Sequence, residues 1–266
     1  VSIAREASET AQTLGAAVAS HFFAGATHTE ALFRLEHLVE SECRCAVVAG
    51  PSGTGKSTVL AVFVAECRRA GLEAVAIDVT GLDSLQLLER LAQRLGVTSQ
   101  AHGRPVALWT EVTDALVGRV LSGHGCVLVV DHLDRAGNDC QQLVRRLATR
   151  GSAQQGETWV LGFSGRVFPR MPREWRERDE LRVELSSLSK LESRAFLQSL
   201  LEFWDRPSGT FDVAAADFFA AAQGVPAALR RLAERSLKLA DESPAHAHDM
   251  AFESAVAELC GLRFSA

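Results

Sequence analysis

Lysine and asparagine are nearly missing from this chain of 266 residues. Lys56, Lys190 and Lys238 stand alone among 28 basic residues, and Asn138 is the single asparagine. No run approaches the roughly 18 apolar residues that a membrane helix needs, and the acidic residues near the N-terminus interrupt any secretory-type apolar stretch. A cytoplasmic protein with no membrane partner is therefore expected. The six cysteines (Cys43, Cys45, Cys67, Cys126, Cys140 and Cys260) show no CxxC spacing, which argues against a zinc site or disulfide framework and for reduced thiols. Cys45 and Cys126 lie in apolar runs, where a free thiol packs as a small buried hydrophobe. A net charge of −5 leaves no global basic field to attract nucleic acid. There is no internal repeat and no low-complexity tract.

What is present is an alternation of short apolar runs with longer helical patterns, the signature of a parallel α/β sheet. Strands are expected at Cys45–Ala49, Ala74–Val79, Cys126–Asp131, Trp159–Phe163 and Leu181–Leu185. Leu88, Leu91, Ala92 and Leu95 mark an amphipathic helix that Gly96 closes. Two more helices follow, one with Pro105 in its first turn and one over about 139–150. Thr27 and Glu30 fit a capping box ahead of the first strand, and Ser189 and Glu192 fit another after the last. Beyond Leu185 the strand signal ends, and helices are expected near 190–204, 212–223, 226–241 and 246–261. The layout is an N-terminal helical extension over 1–26, an α/β core over 27–187 and a small all-helical domain over 188–266. Trp109, Trp159, Trp175 and Trp204 read as core or interface residues, and His246 and His248 form an H-x-H in a loop.

The segment Gly50-Pro51-Ser52-Gly53-Thr54-Gly55-Lys56-Ser57 satisfies G-x-x-x-x-G-K-[ST]. Glycines let backbone N–H groups curl around an anion, and the helix beginning there, with Thr58 in its first turn, points its dipole at the phosphates. Lys56 neutralises β/γ-phosphate charge and the Ser57 hydroxyl ligates Mg²⁺. The loop lies between the apolar strand CAVVA and the apolar helix STVLAVFVAEC, so the expectation is a P-loop that binds a nucleoside triphosphate with Mg²⁺. Val127-Leu128-Val129-Val130-Asp131 supplies the second half of such a site, a strand ending in an acid that holds the metal; the plainer alternative is an aspartate that merely ends a strand. Many P-loop ATPases place Glu next, to polarise the attacking water. Here His132 follows, with Asp134 two positions on, and either can be the group that meets the water. No N-K-x-D element accompanies Asn138, which disfavours GTP and leaves ATP as the expected nucleotide.

With these motifs and a C-terminal helical region, the chain resembles the AAA+ ATPases of the ExeA/GspA type, relatives of the transposition ATPases TniB, TnsC and MuB. The resemblance runs from about Phe22 to Arg231. It rests on His28-Thr29-Glu30-Ala31-Leu32 (the family's H-x-E-A-L), the P-loop, the VLVVD strand, Leu185-Ser186-Ser187-Leu188-Ser189 (L-x-P-L-S) and Gly224-Val225-Pro226 (G-I-P). It implies a five-stranded P-loop NTPase core followed by a helical lid. It also implies that His28 lies beside the adenine, where the plainer reading is a histidine packing a helix end. Arg166, Arg170, Arg173, Arg176, Arg178 and Arg182 are dense after Gly165. By the family pattern Arg178 is the candidate finger reaching a neighbouring subunit's site, with Arg176 second. A nucleic-acid strip and an ordinary solvated face compete, and interleaved Glu174, Glu177, Asp179 and Glu180 weaken the former. Ser164 is expected to contact the γ-phosphate or its water, or else to cap a helix. Where the family's G-x-P-R has its nucleotide-sensing Arg stands Ala227, with Arg230 and Arg231 a turn later.

The expected function is ATP-dependent self-association or remodelling of a protein client, with hydrolysis resetting the cycle. The alternatives are a nucleotide-binding module with little turnover, a DNA-associated adaptor of the transposition type and a small-molecule kinase, against which the terminal helices argue. A secretion-linked role would need a membrane segment and a wall-binding region after the ATPase, and neither is in the sequence.

Overall fold

The computed structural model describes residues 21–41, 45–98, 103–123, 125–150, 157–165, 181–212 and 214–242. Among them five strands form one parallel sheet: β1 (Cys45–Gly50), β2 (Glu73–Asp78), β3 (Cys126–Asp131), β4 (Glu157–Ser164) and β5 (Leu181–Glu184), in the order β2-β3-β4-β1-β5. Both faces are covered, which is why β1 and β3 read as unbroken apolar runs rather than alternating ones. Pleating still sorts their side chains. Ala46 and Val48 join Leu35, Leu38 and Phe63 on one face, from α1 (Ala26–Glu40) and α2 (Lys56–Arg69). Val47 joins Leu91, Val112 and Leu147 on the other, from α3 (Ser84–Arg94), α4 (Pro105–Leu121) and α5 (Asn138–Arg150).

Register places the functional edge. Gly50 pairs with Ser164 across β1 and β4, and Asp78 with Asp131 across β2 and β3, so these four residues end their strands side by side. The chain leaves β1 toward β2 on one side and returns from β4 to β5 on the other. In such sheets the ligand crevice opens at the carboxyl ends where neighbouring connections diverge.

The chain divides into two compact units. One holds Thr27–Gly50 and Lys56–Leu185; the other gathers Phe23–Ala26, Pro51–Gly55 and the chain from Ser186. The second unit contains α6 (Lys190–Phe203), α7 (Ala215–Ala222) and α8 (Pro226–Glu242), packed around Phe196, Leu200, Phe218, Leu229 and Leu232. The Ser189–Glu192 capping box opens α6. The second oxygen of Glu192 accepts from Ala26 N at 2.9 Å. That remote carboxylate meets the first amide of α1, so the helix begins at Ala26 and Thr27 stands inside its first turn rather than ahead of it. α7 starts at Ala215, three residues later than its pattern suggested, and ends on Gln223 in the left-handed region at φ 51°. The helix expected over 246–261, the H-x-H pair and Trp175 lie outside the described residues.

Gly224 carries the turn after α7. Its φ is +69°, its carbonyl accepts from Leu188 N at 2.8 Å, and an added Cβ would run into the Leu188 carbonyl oxygen. Backbone cannot swing aside as a side chain can. Gly224→Ala is expected to destabilise the helical unit by roughly 2–4 kcal/mol, the sum of left-handed strain and overpacking. A urea midpoint unchanged from the parent protein would refute this.

Trp159 is buried in the core, whereas Trp109 and Trp204 are half-buried under Arg146 (4.9 Å) and Arg230 (5.7 Å) respectively. Cys67, Cys126 and Cys140 are free thiols. Cys45, at the start of β1, is only half-buried. Burial pushes Cys67 and Cys126 up to about 12, which makes them poor nucleophiles. No helix among the described residues is long and apolar enough to cross a membrane.

Candidate functional site

The turn between β1 and α2 requires its glycines. Gly53 and Gly55 adopt φ of 84° and 95°, a region that other residues enter at a cost. Thr54 is fully buried and braces the loop, its hydroxyl donating to Pro51 O at 2.9 Å. Gly53 O accepts from Ala227 N at 3.1 Å, and an added Cβ on Gly53 would meet Val225 and Ala227. Ser52 is exposed; Ser57 and Thr58 are half-buried in the first turn of α2.

Lys56 is 5% exposed. Its Nζ donates to Gly50 O at 2.8 Å, and the same carbonyl accepts from Gly165 N at 3.0 Å. Burial pulls the Lys56 ammonium below the usual lysine range, while the Asp131 and Asp134 carboxylates pull the other way. With little water around it the ammonium is weakly screened.

Asp131 ends β3 with no exposed surface. Its Oδ1 accepts from His132 N at 2.8 Å, and its Oδ2 is buried with no hydrogen-bond partner. The strand beside it makes the room: a Cβ on Gly162 would collide with Asp131 Oδ1. Burial raises the Asp131 carboxyl above the usual aspartate range, opposed first by the nearby Ser57 hydroxyl. An orphaned oxygen next to a serine hydroxyl suits Mg²⁺, which takes one or two protein oxygens and completes its shell with phosphate and water. Among the described residues no group of three or more His, Cys, Asp or Glu could hold a metal by itself.

This electrostatic arrangement has a pH consequence. Without a cation, the raised carboxyl favours folding below the ordinary aspartate value, and that contribution is lost as pH rises through Asp131's own value. Metal binding needs the ionised form. The Mg²⁺-dependent part of nucleotide affinity is expected to decline, on acidification, at a higher pH than an exposed aspartate would give. Calorimetric titrations across pH, with Asp131→Asn subtracting the nucleotide's own protonation, test this; a decline confined to the exposed-aspartate range would refute it.

His132 stands in the left-handed region (φ 57°, ψ 36°) just before a 3-10 turn at Leu133–Arg135. Its Nδ1 lies 3.4 Å from Asp78 Oδ2 and 3.6 Å from Asp131 Oδ2. Asp134 Oδ1 accepts from Ser164 N at 2.9 Å, so those two residues meet. Ser164 ends β4, and Gly165 bridges back to Gly50. His28 is 4% exposed on α1, edge-on to Phe22 with ring centres 6.4 Å apart. Arg230 engages Glu234 at 2.7 Å and Arg231 donates to Ala227 O at 3.3 Å. Arg178 and Arg176 lie outside the described residues. Sequence reasoning missed Asp78 and Gly162; the acid that closes the run AVAID was the available signal for the first.

Residues 26–161, which hold the P-loop and Asp131, match the family model described as an AAA ATPase domain. Among solved structures, the Aeropyrum pernix Orc1 protein in complex with DNA superposes with a TM-score of 0.63 at 18% identity, over 89% of this chain and 66% of that one. Drosophila ORC bound to DNA gives 0.62 at 18%, over 96% and 66%. A Thermotoga maritima RuvB variant gives 0.56 at 16%, over 88% and 68%. About a third of each of those chains has no counterpart here. At these identities the likeness is one of fold. No curated protein gives a significant match.

Proposed function

The chain belongs to the AAA ATPase domain family, and from that membership we propose that it binds Mg-ATP and hydrolyses it to drive self-association or the remodelling of a protein partner. The observation that carries this reading is the cluster of buried Lys56 and Asp131 with half-buried Ser57 at the carboxyl edge of the sheet, with the orphaned Asp131 Oδ2 inside it.

In this proposal the amides of the loop from Gly50 to Thr58 wrap the phosphates, and Lys56 leaves Gly50 O for the β- and γ-phosphate oxygens. Ser57 and Asp131 hold Mg²⁺, which when bound neutralises charge on those oxygens. His132 accepts a hydrogen bond from the water that attacks the γ-phosphorus as the β–γ bridging bond breaks. Asp134 positions Ser164 at the end of β4, next to the γ-phosphate. His28 sits beside the adenine, and Arg178 of a second copy completes the charge around the γ-phosphate. Within the family we place the chain in the ExeA/GspA type, on its H-x-E-A-L and G-x-P motifs. The Leu188 N to Gly224 O bond, which ties two of the matching segments together, supports that placement. The decisive experiment is phosphate release by the purified chain with Mg-ATP, beside size-exclusion chromatography with and without a non-hydrolysable analogue. Turnover that rises with protein concentration, together with a larger species in the analogue, is expected; a monomer under all conditions would refute the self-association.

A second reading, a nucleotide-binding module with little turnover, is favoured by Ala227 in the lid position and by the commitment of Arg230 and Arg231 within their own unit. A rate no faster than about 10⁻³ per second, the range of a P-loop site lacking part of its charge stabilisation, would select it. Two of the structural neighbours are DNA complexes, but the net charge of −5 speaks against a DNA-bound adaptor here.

A further inference from the structure

Glu192 makes more hydrogen bonds than a capping box asks of it. Its Oε2 accepts from Ser189 N at 2.9 Å and from Ser189 Oγ at 2.7 Å, which completes the box at the start of α6. One acceptor oxygen is enough for that purpose, and glutamine fills the same position in such boxes. The other oxygen, Oε1, accepts from Ala26 N at 2.9 Å. Only a carboxylate offers an acceptor on both sides. Its charge also lies at two helix N-termini at once, where the backbone dipoles favour it.

The short segment ahead of α1 is held to α6 by a second contact. Phe23 packs edge-on against Phe196, ring centres 5.5 Å apart, and Gly25 N closes a turn on Phe23 O at 3.0 Å. The boundary between the two compact units falls between Ala26 and Thr27, so Ala26 belongs with α6 and the rest of α1 with the sheet. The opening turn of a helix contains amides with no partner inside the helix, so it is the first part to fray. His28 stands in that turn, two residues after Ala26.

We propose that Glu192 is a positioning residue for the nucleoside end of the ligand: by capping α6 and α1 together, it fixes where α1 begins and so where His28 is presented. This rests on the reading of His28 as the neighbour of the adenine. Loss of the second cap should therefore be felt by the nucleoside and not by the phosphates.

Mg-ATP and Mg-tripolyphosphate, titrated into the full chain by calorimetry, report the two ends separately. Glu192→Gln leaves one acceptor oxygen for two helix starts. The box, with two donors, keeps that oxygen, and the amide NH₂ turns toward Ala26 N. The Kd for Mg-ATP should rise by about threefold to tenfold, the size of one net hydrogen bond, while affinity for tripolyphosphate stays as in the parent. Hydrogen exchange over residues 23–28 should quicken. Ser189→Ala removes the hydroxyl from the box but leaves Glu192 Oε1 to Ala26 N, so it should lower the urea midpoint and keep the ratio of the two affinities. Equal weakening of both ligands by Glu192→Gln, an unchanged ratio, or a ratio shifted as much by Ser189→Ala makes Glu192 a structural cap and overturns the proposal. His28→Ala tests the underlying reading by itself: if that variant keeps the parent ratio, the adenine contact at His28 fails, whatever Glu192→Gln does.

Discussion

Lys56→Ala is expected to lower affinity for Mg-ATP by at least about 100-fold, a loss of about 2.7 kcal/mol. That figure follows from the setting of the side chain. Hydrogen bonds to charged groups contribute about 1.5–3 kcal/mol each, and the ammonium can make two to phosphate oxygens. Lys56 is 5% exposed, so water screens it little. Chain folding should survive the substitution, because Gly50 O keeps the Gly165 amide as donor. Circular dichroism and the urea midpoint serve as controls, and calorimetry with Mg-ATP gives the result. Unchanged affinity in a folded variant would remove the phosphate site from Gly50–Ser57.

Gly162→Ala should abolish the response to magnesium without replacing any residue that contacts ligand. Gly162 pairs with Val48 in the sheet, so alanine meets no backbone strain there and acts only by bulk. Its methyl would collide with Asp131 Oδ1 and lie 3.1 Å from Leu60 Cδ1. The Asp131 carboxylate would have to turn, losing the bond from His132 N and its alignment with Ser57. Overpacking of this kind costs about 1–3 kcal/mol of stability. Misaligning a metal ligand lowers metal affinity by about tenfold to a hundredfold. Nucleotide affinity measured with and without Mg²⁺ separates the effects: stability falls, metal-free affinity holds and the magnesium enhancement disappears. An enhancement that survives would move the cation away from Asp131.

These two residues show where sequence reasoning reaches and where it stops. Lys56, Ser57 and Asp131 were legible because each sits in a local pattern: a glycine loop before a helix, or an apolar strand closed by an acid. The four inner and neighbouring strands were legible for the same reason, since a buried parallel strand needs an apolar run. The edge strand β5, LRVE, instead alternates, with Val183 its one buried residue. Gly162 was not, because its role depends on a carboxylate one strand away. Asp78 was not, because its meeting with His132 is fixed by the β2–β3 register. The start of α1 is set by Glu192, 166 residues along the chain, which no local capping pattern contains. Ala227 stands where the G-x-P-R motif has arginine; its backbone bond to Gly53 O has no sequence signal at all.

The carbonyl of Gly50 receives both Lys56 Nζ and Gly165 N. The loop is consequently braced from within, and an incoming anion would have to outcompete an existing partner for the ammonium. Orthophosphate offers one centre and few contacts, so it has little with which to draw the lysine away. A triphosphate reaches the loop amides and the lysine together and can complete the exchange. Any preference for a polyphosphate over smaller anions would thus begin as competition for a single hydrogen-bond donor.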